Sequence, residues 1–93
     1  MIKSFADKDS EKIWNRNFSK KFPANLQGLI YRKLLLIDAA KDVKDLKSPP
    51  GYKLHLLTGD RKNQYAISVN NQWKICFYFQ NGDAYSVEVV DYH

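Results

Sequence analysis

The apolar residues change their period once, at Ser48-Pro49-Pro50-Gly51, and that change bounds what the chain can become. Before it, Leu26, Leu29, Ile30, Leu34, Ile37 and Ala40 recur at the helical spacing of about 3.6 residues. After it the alternation has a period of two. Tyr52, Leu54 and Leu56 alternate with Lys53 and His55, and Tyr65, Ile67 and Val69 with Ala66 and Ser68. Trp73, Ile75, Phe77 and Phe79 then alternate with Lys74, Cys76 and Tyr78. Helices followed by a strand meander make an α+β domain.

Local signals divide the two halves further. Ile2 to Phe5 alternates and reads as a short strand. Asp7 or Asp9 can cap a first helix that carries Ile13 and Trp14 inward, and Lys20-Lys21-Phe22-Pro23 breaks it. Asn25 is placed to cap the second helix, which runs to about Ala40, and a short helical turn is expected at Val43 to Leu46. In the second half, Thr58 to Asn63 is a polar loop and Asn70-Asn71 a turn. Asn81-Gly82 suits a type I′ hairpin, and the last strand runs from Ala84 to about Val90. The expected fold has two N-terminal helices and a short third packed on one face of a mostly antiparallel sheet of four to five strands. Tyr65, Ile67, Val69, Ile75, Phe77, Phe79, Val87 and Val89 face the helices, while Lys74, Cys76, Tyr78 and Glu88 lie on the other, partly polar face.

Composition sets the remaining bounds. A chain of 93 residues, 44% of them hydrophobic, makes one domain spanning 1–93 with one small core. The single cysteine, Cys76, permits neither an internal disulfide nor a multi-cysteine zinc site, which suits a reducing cytoplasm. It reads as a packing residue, since no basic group at a helix start activates it. No apolar run is long enough to cross a bilayer, and the charged MIKSFADKDSEK start has no signal-peptide core. The net charge of +5 favours a polyanionic partner. Residues 1–63 carry net +7 and residues 64–93 net −2, so a polyanion-binding surface draws on the first part, with Lys74 the exception.

Several side chains carry chemistry. His55 has the opposite parity to Leu54 and Leu56 and should point away from the core, suited either to a solvated surface or to proton transfer. Asp91-Tyr92-His93 continues the last strand and sets three proton-handling side chains beside one another. Two histidines with a carboxylate could also hold a metal, but the spacing is nonspecific and no zinc motif accompanies it. Arg61 and Lys62 sit in a glycine-containing loop, with Lys53 and Lys74 within reach of the same region. They suit phosphate oxygens, or else form a solvated loop. Tyr78, Tyr92 and Trp73 could stack on bases, although Trp73 belongs by parity to the core. No phosphate loop, serine elbow or zinc-protease helix is present in the sequence.

Taken together, Met1 to Phe5, Ile37-Asp38-Ala39-Ala40, Tyr52 to Leu56, Gly59-Asp60-Arg61, Asn81 to Tyr85 and the closing Asp91-Tyr92-His93 resemble the HigB-type toxins of the RelE superfamily. The resemblance covers nearly the whole chain, and the last tripeptide is its most specific element. It implies a small toxin that enters the ribosomal A site and cuts mRNA there without a metal or other cofactor. The family's active-site positions fall on His55, Asp91, Tyr92 and His93. Family members carry a lysine and an arginine where this chain has Thr58 and Lys74; the first change removes a phosphate contact, and the second keeps charge without the bidentate fork. The implied partners are the 70S ribosome with its mRNA and a helix-turn-helix antitoxin, through which alone DNA would be contacted; no membrane is involved. Two bottom-up alternatives stand beside this reading: a basic RNA- or ribosome-binding module without catalysis, and a purely structural domain.

Overall fold

A computed structural model describes residues 1–47 and 53–91. The Pro-Pro-Gly break, Tyr52, Tyr92 and His93 lie outside them. Helix α1 spans Lys8–Trp14 and helix α2 spans Gln27–Ala39. Strands β1 (His55–Leu56), β2 (Tyr65–Ser68), β3 (Trp73–Gln80) and β4 (Asp83–Asp91) follow. They pair antiparallel in the order β1-β2-β3-β4. The α+β class and the four-stranded meander are as the change of period implies.

Asp7 caps α1, its carboxylate accepting from the Ser10 amide at 3.3 Å. The helix stops at Trp14, ahead of the Lys-Lys-Phe-Pro break. Arg16 takes a left-handed φ of 64°, and the Arg16 and Asn17 amides bond back to the Ile13 and Lys12 carbonyls. That is a Schellman ending with arginine where glycine is usual. The expected Asn25 cap is not formed. Asn25 lies inside a 3₁₀ turn, Ala24–Leu26, that starts from the Pro23 carbonyl and leads straight into α2. Gln27 ties this entrance together, its amide donating to the Ser19 and Phe22 carbonyls at 2.7 and 3.0 Å. The third, short helical turn is a 3₁₀ segment, Val43–Leu46, with a capping box between Asp42 and Asp45.

Both helices pack on one face of the sheet. Ile30, Leu34 and Ile37 of α2 meet Ile67, Ile75, Phe77, Val87 and Val89, all without solvent exposure. Each such burial contributes roughly 1.5–3 kcal/mol, which is what holds a helix of this length in place. Ile2 and Phe5 form isolated parallel bridges to Ala84 and Val87 rather than a full fifth strand. They nevertheless cover the outer edge of β4, where unpaired amides would otherwise template association.

On the opposite face Cys76 packs as expected, and the departure from the expected parity is at Leu56. Cys76 is fully buried, together with Ala66 and Leu57, and half-buried Val90 packs against them. The reason lies in β1, which is only two residues long: Leu56 turns out to solvent at 56% exposure and Leu57 turns in at 6%. A second, small apolar cluster therefore underlies part of this face, which sequence parity made partly polar.

Candidate active site

Cross-strand register decides which side chains share the face away from the helices. In an antiparallel sheet, directly paired residues project to the same side. His55 pairs with Ala66, Ala66 with Cys76, and Cys76 with Glu88, so these four form one row. Ser68, Lys74 and Val90 form the adjacent row. His55 and Lys74 thus stand on one face, two strands and one row apart, or about 12 Å between backbones on ideal sheet spacings. The apolar cluster around Cys76 separates them.

His55 is exposed, and its Nδ1 lies 3.0 Å from the Lys53 carbonyl oxygen. That contact orients the ring when Nδ1 carries the proton, and directs Nε2 away from the backbone. Lys53 itself has a left-handed φ of 52°, a bend immediately before β1. Arg61 ends the 3₁₀ turn Gly59–Arg61, and exposed Lys62 follows as its cap. The guanidinium of Arg61 reaches across the sheet: Nη1 donates to the Glu88 carboxylate and to the Gln64 side-chain oxygen, at 3.1 Å each. Burial pushes the Cys76 thiol upward, partly offset by the positive charge of Arg61, with Glu88 raising it and Lys74 lowering it further. The three charges around this thiol therefore belong to one electrostatic neighbourhood.

Asp91 is placed differently. It pairs with Trp73 at the end of the β3–β4 ladder, on the row that faces the helices, and accepts from Gln72 Nε2 at 3.1 Å. The ladder sets His55 and Lys74 on one face, to which the bond with Glu88 brings the Arg61 guanidinium, and does not bring Asp91 onto it. Tyr78 is exposed on the outer face, opposite Tyr85, whereas Trp73 is buried against Phe22 in the core. The metal alternative rests on His93, outside the described residues; among those described, no group of three His, Cys, Asp or Glu side chains is placed to hold an ion.

Glu88 and Gln64 received no functional role from the sequence. The strand parity of Glu88 was legible, but its contact with Arg61 spans 27 positions and no local signal announces it.

The arrangement can be set beside known proteins. The family model described as a RelE-like toxin of the type II toxin–antitoxin system HigB matches residues 3–93. The chain belongs to the HigB-like toxins. It is 39% identical to the endoribonuclease HigB of Proteus vulgaris over 93 residues, covering 100% of both chains. It is 32% identical to toxin HigB-1 of Vibrio cholerae over 85 residues, 90% of each. The crystal structure of YafQ from E. coli strain BL21(DE3) superimposes on this HigB-like chain with a TM-score of 0.59 at 21% identity, covering 98% of this chain and 91% of that one, a likeness of fold. As a type II toxin of this family it has an antitoxin for a partner. No helix among the described residues is long and apolar enough to cross a membrane.

Proposed function

We propose that this HigB-like toxin is an endoribonuclease that enters the ribosomal A site and cuts the mRNA held there. The observation that carries the reading is the shared outer face of His55 and Lys74, with Arg61 tethered beside them. Full-length identity to a relative named endoribonuclease supports it.

The RNA supplies its own nucleophile. The 2′-hydroxyl attacks the adjacent phosphorus, the bond to the 5′-oxygen breaks, and a cyclic phosphate and a 5′-hydroxyl result. The protein must take the proton from the 2′-hydroxyl, deliver one to the leaving oxygen, and stabilise the charge that builds on the phosphorus oxygens. In this reading His55 and His93 handle the protons, and Asp91, which the ladder leaves off the His55 face, is kept with them on the family resemblance alone. Lys74, together with Arg61 or Lys53, meets the developing charge, and Lys62 holds the backbone further along. Tyr92 positions or stacks a base. No cofactor enters these steps. The antitoxin is a helix-turn-helix protein, contact with DNA runs through it, and the toxin acts in the cytoplasm.

The test is cleavage of mRNA on purified 70S ribosomes, with 5′ ends mapped, for the wild-type chain and for His55→Ala, Asp91→Ala and His93→Ala. Loss of cuts in the variants supports the reading. Wild-type rates in all three would overturn the assignment, and arrested translation with intact mRNA would favour a non-catalytic ribosome binder.

A further inference from the structure

Among the described residues, Arg61 is held by two acceptors that come from different parts of the fold. Gln64 lies three residues further along the same loop and is buried at 6% exposure. Glu88 comes from β4, and its position there depends on an irregularity. Between the Cys76–Glu88 and Tyr78–Tyr85 pairs, β3 contributes one residue, Phe77, where β4 contributes two, Ser86 and Val87. Ser86 takes a left-handed φ of 51° to accommodate the extra residue. Such a bulge resets the alternation of the strand. Tyr85 and Glu88, three positions apart, consequently face the same way, and the Glu88 carboxylate meets the guanidinium over the Cys76 row.

Both bonds fall on one nitrogen, Nη1. Two acceptors on that nitrogen fix the direction of a long, flexible side chain relative to the sheet. Preorganised donors of this kind act on charge that develops during reaction, since they need not reorganise when it appears.

We infer that Glu88 is a positioning residue for RNA cleavage, holding the Arg61 guanidinium over the outer sheet face to receive a phosphate oxygen of the reacting strand. The inference rests on the proposed nuclease reading and adds to it a carboxylate that touches neither the RNA nor the reacting atoms.

The test is a double-mutant cycle on ribosome-dependent mRNA cleavage, with kcat and KM separated and urea unfolding measured in parallel. Glu88→Ala should lower kcat by up to about a hundredfold, the scale of a misplaced catalytic group, with KM little changed. Glu88→Gln should retain most of the rate, because an amide oxygen still accepts from Nη1. Glu88→Asp keeps the charge but withdraws the oxygens by one methylene, and should lose rate; it carries the test if Glu88→Ala does not fold. In an Arg61→Ala background, adding Glu88→Ala should change nothing further. Glu88→Ala at or above the wild-type rate, or the same penalty with and without Arg61, overturns the inference while leaving the nuclease reading intact. If Arg61→Ala itself cleaves normally, Arg61 has no part in the chemistry and the inference falls with it. Absence of cleavage by the wild-type chain refutes the nuclease reading directly.

Discussion

The Ser10 hydroxyl accepts a hydrogen bond from the Val89 amide at 2.9 Å, joining the first turn of α1 to the edge of β4 across 79 positions. Both residues are fully buried. Ser10→Ala strands the Val89 amide without water to replace its partner, which costs about 1–3 kcal/mol. Urea unfolding should show a lower midpoint with an unchanged slope. A midpoint equal to wild type would mean that the edge of β4 is held by the N-terminal bridges alone.

Gly82 should resist substitution for two reasons at once. Its φ is +83°, in the left-handed region, and a Cβ there would approach the Lys41 carbonyl oxygen to 3.2 Å. Gly82→Ala is expected to destabilise by about 1–3 kcal/mol, or roughly 4–8 °C in Tm for each kcal/mol in a domain of this size. Thermal unfolding followed by circular dichroism checks it. Asn81, with a φ of 53°, should tolerate Gly but not Val.

Cys76 should be unreactive while the protein is folded. The thiol is buried, and burial raises its pKa above the ordinary value, which disfavours the nucleophilic thiolate. Iodoacetamide should label it only on unfolding. The same shift makes stability depend on pH. A thiol harder to ionise when folded means that the folded chain binds more protons than the unfolded one once pH passes the ordinary thiol range. Its contribution is therefore complete below that range and declines as pH rises through it. Cys76→Ala should remove this alkaline slope, and an unchanged slope would assign it to other groups.

Lys74 should matter to cleavage through its charge. If it meets the developing phosphate charge, Lys74→Ala lowers kcat by about 10²–10³-fold, the usual loss for one such donor. Lys74→Arg should retain activity, since the guanidinium supplies charge and two parallel donors. The half-buried site at the ladder's end should leave the stability of either variant close to wild type.

Much of the fold was legible because its determinants are local. The period of Leu26 to Ala40 is set by the pitch of one helix, and the alternation from Tyr65 to Phe79 by the pleat of single strands. The Asn81-Gly82 turn needs only two residues that tolerate positive φ, and Asp7 needs only an amide three positions away to cap α1. His55 is likewise exposed, as its parity against Leu54 implies, although its neighbour Leu56 is exposed as well.

Where local signals competed, the structure chose differently. Asn25 is a good cap in isolation, but Pro23 begins a 3₁₀ turn two residues earlier and Gln27 satisfies the groups a cap would have served. Leu56 and Leu57 are equivalent apolar residues, and which of them is buried depends on where the chain turns after β1. Cys76 was placed on a partly polar face by parity and read as a packing residue; what covers it, Leu57 from a loop 19 positions upstream, left no local signal.

Sequence alone therefore determined the α+β class, the meander and the family, since helix pitch, strand pleat and turn chemistry act between near neighbours and leave their spacing in the residues. Only the tertiary structure decided that Cys76 is sealed under Leu57, that Asp91 pairs on the Trp73 row, and that Glu88 grips Arg61 across the sheet. These depend on register and a bulge, through which residues far apart in the chain meet with no repeating pattern to record the encounter.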